Sequence, residues 1–308
     1  MRALASYIMR GQMQAITTVA ASAVLTLVVM PLSWPIGYFS AAGVGLVTLV
    51  HGTKEGAKTL LGATLILAVI GMLIMGSPVL AIGFALSLWL PALLLSSVVL
   101  ISRSLVLPIQ GLLVVGLLAV AMMYLAMGDP AAWWYNHLVN EVIPVLEKAN
   151  MGFQKGPEFE VRLANATRLM SGVLVMVTAW GMLAGLLIAR WWQALLYKTG
   201  AFAEEFRDFR LGKVITLVAV LLVLLATLGK GLLAELAGNL LLVMIGILLL
   251  QGLAVAHAMV ALFKAHHLWL VMMYMMLVFM MPYMLVMLAM AGLIDNWVDF
   301  RKRVRARA

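Results

Sequence analysis

Apolar residues in this chain occur in long unbroken runs, and nine such runs can be marked. They are Met13–Met30, Ile36–Val50, Leu60–Met75, Val79–Ile101, Leu105–Met127, Leu169–Ala189, Val214–Leu228, Leu240–Val255 and Leu268–Leu293. An α-helix needs about 20 apolar residues to cross the hydrocarbon core of a bilayer, and several runs approach or exceed this length. The runs lack the alternation that strands of a membrane barrel require. The pattern predicts an all-α, polytopic transmembrane helical bundle of eight to ten spans with interfacial amphipathic helices.

The composition supports a membrane protein and excludes other classes. Of the 308 residues, 65% are hydrophobic and 11% are charged, whereas a typical soluble domain has about 45–50% apolar and about 25% charged residues. So few polar residues cannot cover a soluble enzyme, and the composition is not that of a disordered tail or a fibrous repeat. Because the chain has no cysteine, disulfides, a thiol nucleophile and cysteine-ligated metals are excluded.

The formal net charge of +9 comes from basic residues near the ends of the apolar runs. Such residues indicate the cytoplasmic side of a membrane, so no nucleic-acid partner is needed to explain them. With the N-terminus inside, Lys54, Lys58 and Arg103 are also inside, and the acidic loop 128–167 is outside. We predict a multi-pass protein of the bacterial cytoplasmic (inner) membrane with both termini cytoplasmic.

The basic tail 301–307 is also expected inside, which requires an even number of crossings. Either Pro282 divides the run Leu268–Leu293 into a kinked pair of short helices, or one short run does not span. The chain then has three parts: transmembrane helices in 1–127, a periplasmic amphipathic segment in 128–167, and transmembrane helices in 168–308. The third part includes a cytoplasmic juxtamembrane stretch, 190–213, and the basic tail.

The periplasmic segment contains an amphipathic helix over Trp133–Asn150, bent at Pro144. Its predicted apolar face consists of Trp134, Leu138, Val142 and Val145. Two interpretations of its polar and aromatic residues remain open: an aromatic belt at the membrane interface, which we favour, or a platform for a small-molecule ligand. The candidate ligand-binding residues are Trp133, Trp134, Asn136 and His137.

The juxtamembrane stretch alternates aromatic and charged residues, which indicates a pair of interfacial helices around Gly200. Near the end of the last run, Asp295 and Asp299 are four residues apart and share a helix face. Carboxylates there are costly to ionise unless they are paired, so we expect one of them to bind a group of the 190–213 stretch. The alternative is an unpaired, solvated tail. The predicted structural and docking residues are Arg190, Gln193, Arg210, Asp295, Trp297, Asp299 and Arg301.

No residue pattern indicates an enzyme. No carboxylate lies in the middle of a run, and we find no nucleophile elbow, phosphate-binding loop or carboxylate pair. His257 and His266 do not share a helix face, so we interpret the histidines as helix-end residues instead of a metal site. We therefore predict no catalytic residues, no metal and no cofactor.

A wider resemblance, which covers nearly the whole chain, includes two sequences, RWWQALLY at 190–197 and GLIDNWVDFRKR at 292–303, of which the second is the most specific. Together with the layout of the spans, they resemble the YybS-like family of bacterial membrane proteins. The N-terminal half is also similar in layout to S-components of energy-coupling-factor vitamin transporters and, more distantly, to the cell-shape protein MreD. The Ala-xxx-Ala pattern by which S-components dock to their coupling subunit is absent, since Ala15, Ala20 and Ala23 are not four apart.

Two functions follow as expectations. The first, which the resemblance favours, is a small-molecule-binding transport component. The second is a non-transporting membrane scaffold for cell-envelope or cell-shape machinery, with other membrane proteins as partners. A closed, polar-lined pocket beside Trp133–Asn150 would support the first, and a solid helix-packed interior the second.

Overall fold

A computed structural model describes residues 1–28, 34–149 and 156–305. Within these residues the chain is helical and contains no strand, and 89% of the structure is helix. The first helices are α1 (Arg2–Ile8), α2 (Gln12–Val28), α3 (Trp34–His51), α4 (Thr53–Met75), α5 (Val79–Phe84), α6 (Leu90–Ser102), α7 (Val106–Met127), α8 (Pro130–His137) and α9 (Ile143–Lys148). The others are α10 (Pro157–Thr167), α11 (Met170–Tyr197), α12 (Ala201–Asp208), α13 (Lys213–Leu228), α14 (Gly231–Leu262), α15 (Leu268–Phe279), α16 (Met281–Val298) and α17 (Phe300–Arg305). Two π-helical turns, Ala85–Trp89 and Leu138–Val142, join α5 to α6 and α8 to α9.

Each marked apolar run is helical in the described residues, apart from Leu105, Leu169 and Met280. Residues 29 and 30 of the first run lie outside the described residues, as do residues 31–33. Six helices in the described part are long and apolar enough to cross a membrane, and the pair α12 and α13, bent by 52°, would be a seventh. Three more apolar helices are shorter: Gln12–Val28, Ile36–His51 and Leu268–Phe279. The described residues therefore form an all-helical structure with six or seven candidate membrane spans.

The run Leu268–Leu293 forms two helices, α15 and α16, which meet at Met280. Pro282 lies in the first turn of α16, where its missing N–H costs no helical hydrogen bond. The methionine-rich helix α15 has no buried residue, and Met272, Met275 and Met276 are exposed. These three methionine side chains therefore do not pack in the interior of the compact unit to which α15 belongs.

The chain divides into two compact units, and each is discontinuous in sequence. The first unit contains Met1–Gly111 and Ala179–Phe209, and the second contains Leu112–Thr178 and Arg210–Ala308.

Small residues bring the helices of the first unit close together. Gly43 of α3 lies against Val19 of α2, and a Cβ at Gly43 would be 2.7 Å from the Val19 side chain. Buried Ser40 donates a hydrogen bond to the carbonyl of Val19 (2.8 Å) and accepts one from Nε1 of buried Trp89 (2.8 Å). The apolar core around them includes Ala23 and Leu67.

The part of α11 that belongs to the first unit runs parallel to α3. The residue numbers rise together along both helices in four successive contacts: Tyr38 with Gly181, Ala41 with Gly185, Gly45 with Ala189, and Leu49 with Gln193. The last is a hydrogen bond of 3.0 Å from the Gln193 amide to the carbonyl of Leu49. Both helices therefore point in one direction.

In the second unit, α14 and α16 also meet through glycine. A Cβ on Gly252 would overlap the backbone oxygen of Leu288, and one on Gly292 would lie 2.7 Å from the backbone nitrogen of Gly252. Only residues without a Cβ allow the two backbones to approach this closely.

The predicted amphipathic helix is present as α8, a π-helical turn and α9, and Asn150 lies outside the described residues. Trp134, Leu138 and Val142 are partly buried as predicted, but Val145 is 63% exposed and Ile143 is buried instead. The π-helical turn explains the difference. In such a turn the hydrogen bonds join residues five apart, so Ile143 lies on the same face of the helix as Leu138.

The helix pair around Gly200 is also present, with one correction. The residues before Gly200 are the end of the long helix α11, which continues to Tyr197, and are not a separate interfacial helix. Gly200 has a φ of +93°, a conformation that favours glycine, and α12 begins directly after it.

Candidate functional site

The contact that we expected between the end of α16 and the 190–213 stretch is present in the second unit. Nη2 of Arg210 donates a hydrogen bond to Oδ1 of Asp299, and its Nε lies 3.8 Å from Oδ2 of Asp295. Asp295 also accepts a hydrogen bond from Nη2 of Arg301, and both of these side chains are almost fully buried. We call these four residues the tail ion-pair cluster. The alternative of an unpaired tail is wrong for both carboxylates.

The two aspartates also shape the chain where α16 ends. Asp299 adopts the left-handed conformation, with φ +50°, that terminates the helix. Oδ1 of Asp299 accepts a hydrogen bond from the backbone N–H of Lys302 (3.0 Å), and Oδ1 of Asp295 accepts one from that of Phe300 (3.1 Å). Each carboxylate therefore fixes the backbone entering α17 while it pairs with an arginine.

The charge of Asp299 is stabilised by its neighbours. The hydrogen bond from the Arg210 guanidinium holds the pKa of the Asp299 carboxyl well below its usual range, and the backbone N–H of Lys302 acts in the same direction. Asp299 is therefore ionised at any physiological pH, and its ion pair with Arg210 persists there.

Next to the tail ion-pair cluster, also in the second unit, lies a hydrogen-bonded set of amide side chains. Oε1 of Gln251 accepts a hydrogen bond from the backbone N–H of Leu211 (2.9 Å). Its Nε2 donates to the carbonyl of Gly292 (2.7 Å) and to Oδ1 of Asn296 (2.9 Å). Nδ2 of Asn296 donates to the hydroxyl of Thr216 (2.8 Å). One glutamine on α14 thus holds the loop before α13 and the end of α16.

Trp297 lies beside these contacts but outside the interior. Its side chain is 55% exposed, and Nζ of Lys213 lies 6.0 Å from the centre of its ring. This exposure is typical of a tryptophan at the level of lipid headgroups, and Lys213 adds a cation–π contact.

Arg190 and Gln193 form a separate group in the first unit. Nε of Arg190 donates to Oε2 of Glu205 on α12 (2.8 Å), and its Nη1 donates to the amide oxygen of Gln193. Gln193 in turn donates to the carbonyl of Leu49. Of the predicted docking residues, these two therefore fix α12 and α3 to the end of α11, and the other five lie in the second unit.

An aromatic cluster brings together three of the four predicted ligand-binding residues on α8, namely Trp133, Trp134 and His137. Trp133 stacks on His137 with ring centres 5.1 Å apart, and His137 lies 3.2 Å from the carboxylate of Glu141. Nε1 of Trp134 donates to the hydroxyl of Ser171 (3.0 Å), which fastens α8 to the start of α11. These contacts occupy three of the four predicted residues with neighbouring side chains.

A groove of about 300 Å³ lies beside α8 and α10, on a face that includes the fourth residue, Asn136. Its lining residues are Ala131, Ala132, Tyr135, Asn136, Ala164, Thr167 and Arg168. The groove is open along one side, so it is not the closed pocket that would favour a transport component. We call it the α8–α10 groove.

Asn239 of α14, which sequence reasoning missed, organises the helix ends next to this groove. Its Oδ1 accepts from the backbone N–H of Gly172 (2.7 Å), and its Nδ2 donates to the hydroxyl of Tyr124 (2.9 Å) and the carbonyl of Arg168 (2.7 Å). The same Nδ2 lies 2.9 Å from the carbonyl of Glu235. The available signal was a single amide residue near the start of an apolar run.

The histidines have local partners. Nδ1 of His266 accepts a hydrogen bond from the backbone N–H of Leu268 (3.1 Å), which agrees with the predicted helix-end position. Nε2 of His257 lies 2.8 Å from the hydroxyl of Tyr274. Within the described residues, no group of three or more His, Asp or Glu side chains could hold a metal ion.

No protein-family model, no curated protein and no solved structure matches this chain.

Proposed function

We propose that this protein is a non-enzymatic membrane scaffold whose ordered tail end binds another membrane or envelope protein. The observation that supports this function is the tail ion-pair cluster with the Gln251 hydrogen bonds next to it. A tail that served only to set orientation would need positive charge but no fixed structure. Here the loop before α13 and the end of α16 are held in one arrangement, which leaves Trp297, Lys302 and Arg303 exposed. A preformed surface of this kind lowers the entropic cost of binding a partner.

The proposed location is the bacterial cytoplasmic membrane, with an even number of eight to ten crossings and both termini cytoplasmic. The parallel arrangement of α3 and α11 supports the part of this topology that lies between these two helices. Parallel membrane helices begin on the same side, so an odd number of crossings must separate them. The helices α4, α5 with α6, and α7 supply three, which leaves the segment 128–167 on one side of the membrane.

The proposed family is the YybS-like one, and its support is the pair of sequences at 190–197 and 292–303. In the structure both sequences contribute residues with specific contacts, Arg190 and Gln193 in one and Asp295 and Asp299 in the other. Residues with such contacts are the kind that a family would keep for structural reasons.

The alternative is a small-molecule-binding transport component. The observation that favours it is the α8–α10 groove, which includes one of the predicted ligand-binding residues. Against it, the amide side chains buried in the second unit use their hydrogen-bonding groups on the backbone and on other side chains of the protein.

A deletion strain complemented by variants separates the two functions. Arg210→Gln removes the ion pair to Asp299, and Arg303→Gln removes the same charge from an exposed position in α17. A photo-crosslinking residue in place of Trp297 reports whether a partner is near.

We expect Arg210→Gln to weaken both complementation of the envelope phenotype and crosslinking to one discrete partner, with the protein still present in the membrane. Arg303→Gln should retain both. If Arg210→Gln complements fully and Asn136→Ala does not, the scaffold is wrong and the transport component is favoured.

A further inference from the structure

We propose that the α8–α10 groove binds the anionic group of a small ligand, a carboxylate or phosphate, through Arg168, Tyr135 and Asn136. The groove lies wholly within the second unit, and its volume of about 300 Å³ is at the lower end of the range for small-molecule sites. This inference does not depend on the proposed scaffold function.

The polar side chains of the groove have hydrogen-bonding capacity to spare. Neither the Tyr135 hydroxyl nor the Asn136 amide forms a hydrogen bond with any residue that the structure describes, although both line the groove. Arg168 has one ion pair, in which its Nε lies 3.6 Å from Oε1 of Glu235. All three side chains can donate hydrogen bonds into the groove, and guanidinium, phenol and amide donors together suit an oxygen-rich anion.

The position of Arg168 is fixed by its backbone. Its carbonyl accepts a hydrogen bond from buried Asn239, so the residue is held at the junction of α10 and α11. Its side chain is 60% exposed, so its charge carries little desolvation cost when no ligand is bound. An arginine held by its backbone but open at its guanidinium can bind an anion without rearrangement of the fold.

The other lining residues define the shape of the site. Ala131, Ala132 and Ala164 have the smallest side chains with a Cβ, and they leave the space between α8 and α10 open. A ligand with a compact body can lie on these methyl groups while its anionic end contacts Arg168. Thr167 donates its own hydroxyl to the carbonyl of Ala164 (2.9 Å), so it contributes an oxygen but no free donor.

Arg168 and Glu235 allow a test in which two substitutions should change the affinity for an anion in opposite directions. The long, partly exposed ion pair between Arg168 and Glu235 is weak, and its carboxylate repels an incoming anion. If an anion binds Arg168, loss of the Arg168 charge must weaken binding, whereas loss of the Glu235 charge must strengthen it. Arg162→Gln is the control for a general effect of net charge on anion binding. Arg162 also lies on α10, is exposed and pairs with Glu158.

The experiment uses the full chain in nanodiscs, with inorganic phosphate as the soluble probe and phosphatidylglycerol, in place of zwitterionic lipid, as the headgroup probe. Binding is measured by calorimetry for phosphate and by native mass spectrometry for the lipid. We expect Arg168→Gln to weaken binding about tenfold or more, Glu235→Gln to strengthen it severalfold, and Arg162→Gln to leave it unchanged. The melting temperature without probe should stay the same in all three variants, which shows that the fold is intact.

The two probes distinguish the source of the anion. Arg168-dependent binding of phosphate identifies a soluble ligand, and Arg168-dependent binding of phosphatidylglycerol alone identifies a lipid headgroup. The proposal is overturned if neither probe binds, or if Arg168→Gln and Arg162→Gln bind equally. It is equally overturned if Glu235→Gln weakens binding as much as Arg168→Gln does.

Discussion

The two units differ in the polar groups that they bury. In the described part of the first unit the buried polar side chains are hydroxyls: Ser40, Thr48, Thr59 and Ser96. In the second unit they also include amides and charges: Asn239, Gln251, Asp295, Asn296 and Arg301. A hydroxyl can satisfy itself on a carbonyl one turn earlier, as Thr48 does on Val44 (2.8 Å). Among the buried hydroxyls of the first unit, Ser40 instead joins two other helices. A buried amide has more donors and acceptors to satisfy, so Asn239 and Gln251 of the second unit each join several segments.

The largest effect should come from the buried charge pair of the second unit. Asp295→Asn leaves the buried Arg301 guanidinium without its counter-charge, and we expect a loss of about 3–5 kcal/mol in the free energy of unfolding. Ser40→Ala in the first unit removes the acceptor of Trp89 Nε1, and we expect a loss of about 1–3 kcal/mol. Denaturation of both variants in mixed micelles measures the difference.

The matched double variant Asp295→Leu with Arg301→Met tests the cause. It removes both charges, so it should recover much of the stability that Asp295→Asn loses. Equal losses for Asp295→Asn and Ser40→Ala would mean that the two units do not differ in the way their interiors are held.

A smaller effect is expected where glycines allow helices to meet. At Gly252 a Cβ would meet the backbone oxygen of Leu288, whereas at Gly43 it would meet a Val19 methyl group. A side chain can rotate but a backbone cannot, so Gly252→Ala should cost up to about 3 kcal/mol and Gly43→Ala less. Thermal unfolding followed by size-exclusion chromatography measures both.

Gly111→Ala is the control, because a Cβ at Gly111 meets nothing within 4 Å. There the helix propensity of alanine should stabilise the protein by up to about 1 kcal/mol. A Gly252→Ala variant as stable as the wild type would show that α14 and α16 can separate without cost.

The smallest effect should be the pH dependence of stability that comes from Asp299 in the second unit. The pKa of Asp299 is lowered in the folded protein, so the unfolded chain binds more protons as the pH falls. The stability from its pair with Arg210 is complete above the usual carboxyl pKa of about 4 and is lost below it as the folded pKa is approached. We expect the difference in melting temperature between wild type and Asp299→Asn to be full at pH 6 and smaller at pH 3. A difference that is constant with pH would exclude this ion pair as its cause, and since the pair is partly exposed its total contribution is about 1 kcal/mol or less.

Sequence reasoning predicted the parts of this protein that depend on local pattern. Long apolar runs correspond to helices, and the spacing of Asp295 and Asp299 predicted a contact with the 190–213 stretch, because paired carboxylates are the inexpensive arrangement near a membrane. The partner could not be chosen from the sequence among Arg190, Arg207, Arg210 and Lys213, since that choice depends on tertiary packing.

Two kinds of feature could not be predicted. The π-helical turn Leu138–Val142 has no signal in hydrophobic periodicity, and it alone moved the apolar face from Val145 to Ile143. The roles of Asn239 and Gln251 depend on the carbonyls and amides of other helices, which a periodicity argument does not locate. The same reason left the α8–α10 groove undetected, although Asn136 had been singled out.

The pair between Arg210 and Asp299 joins residues that are 89 positions apart in the chain. During synthesis, Arg210 and the backbone N–H of Leu211 therefore leave the ribosome long before Asp299 does. Until α16 is made, Asn296 is missing as the partner of Gln251 and Thr216. A nascent chain interrupted before Asp295 therefore lacks the groups that hold the loop before α13 to the end of α16.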